Sequence, residues 1–218
     1  MSSSPRLSIE VIEHMIDELG AAQETAALAR CIRVHKDWIP RTRIHLWRTL
    51  TVYSSKQLPI ICATFDRNPI LQSLVEVVRL KPDRGRSVES GSAQGRHPFP
   101  LTASIVLLPY LIHIQAWEFL GHGHTPFPLQ RATLVSLRQY RDVKRVVLSG
   151  VYFKNLFHFY PLQNAFPALE EIIIEDVAVD DPPSYQSLMS EHGRRKGLRR
   201  LQCFEVTSAI EFTSLESS

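Results

Sequence analysis

Two histidines on either side of a glycine, His122 and His124, are the residues of this 218-residue chain that come closest to a metal-binding pair. His113 lies nearby and could supply a third nitrogen. Zinc sites take four ligands with matched spacing, and neither a cysteine nor a second histidine pair follows here. The histidines are therefore interpreted as part of a surface loop, and the sequence predicts neither a metal site nor a cofactor.

Acidic and basic clusters in the last third of the chain are the other candidates for chemistry. The acidic run comprises Glu170, Glu171, Glu175, Asp176, Asp180 and Asp181. Successive side chains of a strand alternate between its two faces, so this run does not place any two carboxylates as a catalytic pair. The basic cluster comprises Arg194, Arg195, Lys196, Arg199 and Arg200. It is a candidate localisation signal or nucleic-acid patch, but no aromatic residues that could stack on bases are interleaved with it. A solvated loop is favoured, and nucleic acid is not an expected partner.

Motifs of the common enzyme classes are absent from the sequence. It contains no G-x-G-x-x-G, G-x-x-x-x-G-K-[ST], G-x-S-x-G or H-E-x-x-H. Hydrophobic residues make up 44% and charged residues 22%, which are ordinary values for a globular protein. The net charge of +3 is too small to argue for nucleic acid. We therefore expect a folded protein that is not an enzyme.

The cysteines and the apolar runs indicate the compartment. Cys31, Cys62 and Cys203 are odd in number and widely spaced, which gives no disulfide framework. Glu10 and Glu13 interrupt the apolar residues near the N-terminus, so no secretory signal is predicted. No apolar run reaches the roughly 18 residues that a membrane-spanning helix needs. The sequence predicts a protein of the cytoplasm or nucleus with no membrane partner.

The first fifty residues carry the most specific pattern of the chain. As a helix, Ile9–Leu19 places its apolar residues within an arc of roughly 160° and its charged residues on the other side. Ser8 is a predicted N-cap and Gly20 a predicted stop. A second helix is predicted over Thr25–His35 and a short third helix from Pro40 through Leu46, before the chain becomes strand-like near Thr49. These helices have more apolar surface than so small a module can bury, which predicts a partner.

Residues 5–50 resemble an F-box, in particular the F-box that many mushroom-type fungal proteins combine with leucine-rich-repeat-like sequence. The residues that carry the resemblance are Leu7, Ile9, Glu10, Val11, Ile12, Ile16, Leu19, Leu28, Cys31, Val34, Trp38, Leu46 and Trp47. Two positions depart from the family pattern. Ser8 stands where the family usually has proline, and His35 stands where many relatives have a second cysteine.

The resemblance implies a non-catalytic adaptor. F-box proteins bind the Skp-type subunit of SCF-type (Skp–cullin–F-box) ubiquitin ligases, and through it a cullin. The positions that match the family's docking residues are Leu7, Ile9, Val11, Ile12, Ile16, Leu28 and Trp38. Read from periodicity alone, the same residues are equally compatible with a self-contained helical core.

An apolar-x-x-apolar-x-apolar hexapeptide recurs through the rest of the chain. Its occurrences are WRTLTV, VEVVRL, IQAWEF, VKRVVL, LEEIII and LRRLQC, beginning at positions 47, 75, 114, 143, 169 and 198. The intervals are 28, 39, 29, 26 and 29 residues, mostly within the range of leucine-rich repeats. The long interval contains a glycine- and serine-rich stretch, residues 82–98, which we interpret as a flexible insertion. The intervening segments Gln57–Phe65, Leu101–Ile112, Ala132–Tyr140 and Asn155–Ala165 are compatible with helices.

The predicted fold class is therefore α/β, with a three-helix module followed by an irregular strand–helix solenoid over residues 51–218. The x positions of each hexapeptide should lie on the open face of a parallel sheet, where an unidentified target protein would bind. The charged x residues proposed for target binding are Arg79, Glu118, Arg145, Glu171 and Arg200. Two alternatives stay open: a scaffold whose F-box is not coupled to ubiquitin transfer, and a nucleic-acid-binding protein that uses the basic cluster.

Overall fold

The computed structural model describes residues 8–81, 99–121, 131–155, 159–181, 200–203 and 206–208. The chain divides into two compact units, residues 1–50 and residues 51–218, and the boundary falls inside the first strand. The predicted insertion over residues 82–98 lies outside the described residues. The predicted class is confirmed, because helices combine with a parallel sheet.

The first unit contains three helices, as the sequence predicts. They are α1 (Ile9–Ala21), α2 (Thr25–Val34) and α3 (Ile39–Arg48), with a short 3-10 turn at Lys36–Trp38. The hydroxyl of Ser8 accepts a hydrogen bond from the amide of Val11 at 3.5 Å, so the predicted N-cap of α1 is confirmed. Pro40 lies in the first turn of α3, where its missing N–H costs no helical hydrogen bond. Each of the three helices packs against the other two.

The predicted stop at Gly20 is wrong, because α1 continues to Ala21. The helix ends in a Schellman motif in which Gln23 takes the left-handed conformation, with φ of 56°. The amide of Glu24 donates to the carbonyl of Leu19 at 2.9 Å, and the amide of Gln23 donates to the carbonyl of Gly20 at 3.1 Å. Gly20 instead allows a close approach: a Cβ on it would lie 2.1 Å from Nδ1 of His45 on α3.

The main sheet is formed by the hexapeptides. Its strands are β1 (Thr49–Val52), β2 (Val77–Leu80), β3 (Ala116–Leu120), β4 (Arg145–Ser149), β6 (Glu171–Glu175) and β8 (Arg200–Cys203). The order is β1-β2-β3-β4-β6-β8, and each pairing from β2 onward is parallel. The fourth hexapeptide residues of neighbouring strands stand opposite each other, so that Trp117 pairs with Val146 and Val146 with Ile172. These three side chains are buried, as the pattern predicts.

A second parallel sheet was not predicted. It comprises β5 (Tyr152–Asn155), β7 (Val177–Asp181) and β9 (Val206–Ser208) in that order. The helix predicted over Asn155–Ala165 is therefore wrong at its start: Asn155 ends β5, and the helix there is the shorter α7 (Phe159–Gln163). Val151, Phe153 and Val177 are buried, so the apolar residues in this region belong to strand positions that hide them from water.

Sharp corners connect the strands of the two sheets. Gly150, with φ of 60°, lies between β4 and β5, and Asp176, with φ of 49°, lies between β6 and β7. The amide of Gly121 donates to the carbonyl of Ser149 at 2.7 Å, and the amide of Gly150 donates to the carbonyl of Glu175 at 3.0 Å. A Cβ on Gly121 would stand only 2.4 Å from the carbonyl oxygen of Gly150. Neighbouring corners are thus joined by backbone hydrogen bonds, and glycine lets them approach closely.

The connecting helices of the second unit differ in length from the predicted segments: the first is one residue longer, and the next two are shorter. They are α4 (Leu58–Arg67), α5 (Phe99–Val106) and α6 (Arg131–Leu137), with 3-10 turns at Ser55–Gln57 and Pro69–Leu74. Helices α5 and α6 are joined at Ser104, whose Oγ is 3.1 Å from Oγ of Ser136 and whose carbonyl accepts from the Tyr140 hydroxyl at 2.7 Å. Tyr140 also meets Trp117 edge-to-face with ring centroids 5.3 Å apart. Burial raises the pKa of the Tyr140 hydroxyl.

Candidate functional site

Exposed apolar side chains on α1 are the main surface feature of the helical unit. Val11 and Met15 are four residues apart, so they lie on the same side of the helix, and they are 45% and 53% exposed. Ile9, in the first turn, is 47% exposed. Ile12 is partly buried between this surface and the interior. Large apolar side chains with this exposure on a short helix favour a protein-docking surface.

Two further apolar side chains of the helical unit are exposed. Val34, the last residue of α2, is 62% exposed, and Ile44 on α3 is 44% exposed. Trp38 closes the 3-10 turn and is partly buried. The candidate docking residues thus occur on all three helices of the unit, with the densest set on α1.

Two of the predicted docking residues belong to the interior instead. Ile16 and Leu28 are only 2% and 1% exposed, because each lies on the side of its helix that packs against the rest of the chain. They belong to the interior of the helical unit. Leu7 lies outside the described residues. The predicted residues that reach the surface are Ile9 and Val11, with Ile12 and Trp38 partly exposed.

Met15, Val34 and Ile44 were not among the predicted docking residues. Met15 could have been found from the sequence, because it falls on the Val11 edge of the apolar arc of α1. Ile44 had no such signal, since α3 mixes apolar and basic residues and the packing of the module decides which of them are covered.

A polar clamp holds α1 against α3. The carboxylate of Asp17 accepts from Nε of Arg41 at 2.6 Å and from Nη2 of Arg41 at 2.5 Å, which is a bidentate arrangement. Nε2 of His45 lies 2.8 Å from the same carboxylate. The hydrogen bonds from Arg41, and then from His45, hold the pKa of Asp17 well below its usual range. This clamp fixes the angle at which α1 presents Val11 and Met15.

The buried side of His45 is unusual. Its Nδ1 is buried without a hydrogen-bond partner, and so is Oγ1 of Thr42 one turn earlier. Nε2 faces the Asp17 carboxylate, so the other ring nitrogen, Nδ1, points to the buried side. The absence of a Cβ on Gly20 lets the ring fit there. The group therefore ties α3 to α1.

Four of the charged residues predicted for target binding, Arg79, Glu118, Arg145 and Glu171, form ion pairs on the sheet. Nε of Arg79 is 2.5 Å from Oε2 of Glu118, and these residues stand directly opposite on β2 and β3. Nε of Arg145 is 3.6 Å from Oε2 of Glu171 on the neighbouring strand. Arg200 stands opposite Glu171 in the strand register. Their charges are therefore largely matched within the sheet, and their role in binding a target stays a prediction.

Neither a cluster of metal ligands nor a membrane-spanning helix is found among the residues of the described ranges. No group of three or more histidine, cysteine, aspartate or glutamate side chains there could hold a metal ion. His122 and His124 lie outside those ranges, as do the basic residues 194–199, while His113 pairs with Asp142 at 2.9 Å on the surface. None of the helices searched in these ranges is long and apolar enough to cross a membrane.

The chain was compared with models of protein families, with curated proteins and with solved structures, and it matched none of them.

Proposed function

We propose that this chain is a non-catalytic substrate-recognition adaptor of an SCF-type ubiquitin ligase. In this proposal residues 5–50 are an F-box-like module that binds a Skp-type adaptor, and through it a cullin, in the cytoplasm or nucleus. Residues 51–218 are a leucine-rich-repeat-like solenoid that holds a target protein. The observation that carries the proposal is the exposure of Val11 and Met15, side by side on a helix that the Asp17 clamp holds in place.

The mechanism requires no bond-making by this chain. Binding a target and a ligase on one polypeptide raises the effective concentration of the target near a ubiquitin-charged enzyme. Orientation of the two partners supplies the rest of the rate enhancement. A defined angle between α1 and α3 serves that purpose, because it gives the docking residues a fixed direction within the module.

The strand unit supports its proposed role in part. Its hexapeptides pair in a constant parallel register, which is the geometry of a solenoid sheet. It departs from leucine-rich repeats where their consensus has asparagine after the strand. The matching residues here are Val151, Val177 and Val206, and the first two are buried. Backbone hydrogen bonds join neighbouring corners at these positions, from Gly121 to Ser149 and from Gly150 to Glu175.

A paired substitution on α1 tests the docking role. The full chain carrying Val11→Asp and Met15→Asp is co-expressed with a Skp-type adaptor, and we expect co-purification to fall at least tenfold because two charges would face an apolar partner surface. The control is His14→Asp, which places the same group on the exposed polar side of α1. Retained co-purification in the double variant would refute the docking surface.

A blot for cullin in the same purification separates the adaptor from a scaffold. Recovery of the Skp-type adaptor together with a cullin supports the ligase role. Recovery of the adaptor without a cullin would favour the scaffold interpretation and refute the link to ubiquitin transfer.

A further inference from the structure

A second surface, on the helix side of the strand unit, combines two exposed arginines with exposed apolar residues. Arg131 and Val135 on α6 and Arg138, the first residue after it, follow each other at intervals of four and three residues. The amide of Arg138 still donates to the carbonyl of Leu134 at 3.2 Å, so the three residues lie on one face. The opposite face of α6 consists of the buried Thr133, Ser136 and Leu137. Val135 is 51% exposed, and both arginines are exposed. We call this face, together with Ile105 of α5, the α6 surface.

Ile105 extends the apolar part of the α6 surface onto the neighbouring helix. It is 48% exposed and directly follows Ser104, whose Oγ lies 3.1 Å from Oγ of Ser136. Val135 directly precedes Ser136. With 3.8 Å between consecutive Cα atoms, the Cα atoms of Ile105 and Val135 are within about 16 Å of each other. A short peptide can therefore contact both side chains at once.

The two arginines of the α6 surface have no acidic partner among the described side chains. The nearest acidic residue along the chain is Asp142, whose Oδ2 already pairs with Nδ1 of His113 at 2.9 Å. Arg131 is the first residue of α6, where the helix dipole opposes a positive charge, so its position does not serve the stability of the helix. On the open face of the main sheet, by contrast, Arg79 and Arg145 already have glutamate partners.

We infer that the α6 surface binds an acidic protein segment that carries large apolar side chains. Carboxylates of the segment would pair with Arg131 and Arg138, and an apolar side chain would cover Val135 and Ile105. A single-stranded nucleic acid fits this surface less well, because such ligands need aromatic side chains for stacking, and the four residues of the α6 surface include none. The inference rests on the proposed function in one respect: it assigns this segment to the target protein.

Fluorescence anisotropy with defined probes tests the inference on the full chain. The probes are a short labelled peptide of glutamates and leucines, the same peptide with lysines in place of the glutamates, and a single-stranded oligonucleotide of matched charge. We expect the glutamate peptide to bind, and the lysine peptide and the oligonucleotide to bind at least about tenfold more weakly. Absence of glutamate-peptide binding, or an oligonucleotide that binds as tightly and displaces it, overturns the inference.

Matched variants locate the binding. The double variant Arg131→Glu, Arg138→Glu should bind the glutamate peptide at least about tenfold more weakly. The double variant Lys56→Glu, Arg67→Glu makes an equal charge change elsewhere on the same unit and should bind the peptide with unchanged affinity. Val135→Ser, which keeps the charges, should weaken binding several-fold and guards against a charge variant that fails to fold. An equal loss in the Lys56 and Arg67 variant overturns the inference. The Val11 and Met15 variant should bind the peptide normally, so failure of the adaptor role and failure of this inference are distinguishable.

Discussion

The two units of the molecule differ in how much apolar surface they hide. Among the described residues, the helical unit buries the apolar side chains of Ile16, Leu28 and Leu50, and it exposes five large ones. The strand unit buries a continuous core that includes Trp117, Tyr140 and Phe166. The units also differ in what fixes their elements. A side-chain clamp places α1 on α3, whereas backbone hydrogen bonds join successive strands and corners. Among the described residues, the helical unit thus exposes more large apolar side chains than it buries, whereas the strand unit buries many more than the six it exposes.

The largest effect is expected from a substitution that removes the side chain at the centre of the larger core. Trp117→Ala should lower the free energy of unfolding of the strand unit by about 3–5 kcal/mol, because its ring is fully buried against Phe119 and Tyr140. Urea unfolding followed by circular dichroism measures this. The fluorescence of Trp38 and Trp47 then reports on the helical unit, which should change little. Ile70→Ala, at a side chain that is 77% exposed, is the control and should stay within about 0.5 kcal/mol. A loss below about 1 kcal/mol for Trp117→Ala would contradict the contrast between the units.

Two glycine substitutions of intermediate effect compare a contact to the backbone of the strand unit with a contact to a side chain of the helical unit. Gly121→Ala should cost about 1–3 kcal/mol, because its Cβ meets the carbonyl oxygen of Gly150, which cannot move without its strand. Gly20→Ala should cost less, about 1 kcal/mol, because the imidazole of His45 can turn away, although it then loses Asp17.

A double variant checks the reason for that difference. Once His45→Ala has removed the ring, Gly20→Ala should no longer destabilise the protein, and it should recover part of the helix propensity that glycine lacks. Thermal unfolding of the two single variants and the double variant measures the coupling. Additive effects would show that Gly20 and His45 do not depend on each other.

The smallest expected effect is a pH dependence confined to the helical unit. The pKa of Asp17 is lower in the folded chain than its unfolded value of about 4, so the unfolded state binds more protons in acid. The stability that the clamp contributes is therefore complete above about pH 5 and is lost as the pH falls below about 4. The pKa of Glu10, lowered by a hydrogen bond to its own backbone amide and by Ser8, acts in the same direction.

Thermal unfolding between neutral and acidic pH tests this dependence. In Asp17→Asn, the unfolding temperature of the helical unit should fall less between neutral and acidic pH. Glu13→Gln on the same helix should leave that fall unchanged. An unchanged fall in Asp17→Asn would mean that the clamp does not stabilise the unit.

Much of the fold follows from periodicity in the sequence. The α1 pattern and the hexapeptides predict the three helices and the six strands of the main sheet. Apolar residues that recur every 3.6 or every 2 residues indicate directly which side chains are buried. The second sheet carries no such signal. Its strands are three to five residues long and follow corners formed by Gly150 and Asp176, which local sequence does not distinguish from the start of a helix.

The candidate docking surface was predicted less completely than the fold. A helical wheel identifies an apolar arc, but tertiary packing decides which part of the arc is covered. Ile16 is buried and Met15 is exposed, although they are neighbours in the sequence and both are apolar. Gly20 fits either a helix stop or a close contact, and only the position of His45 distinguishes the two.

The constant strand register has a consequence for changes in chain length. Equivalent residues of β2 and β3, Val77 and Ala116, are 39 residues apart in the sequence, whereas those of β4 and β6, Arg145 and Glu171, are 26 apart. Both pairs nevertheless stand directly opposite each other. Closing a loop twice as long costs only about 0.6 kcal/mol more, so the connections can gain or lose residues at small cost. The strand unit can therefore acquire new loops while every side chain on its sheet keeps its neighbours.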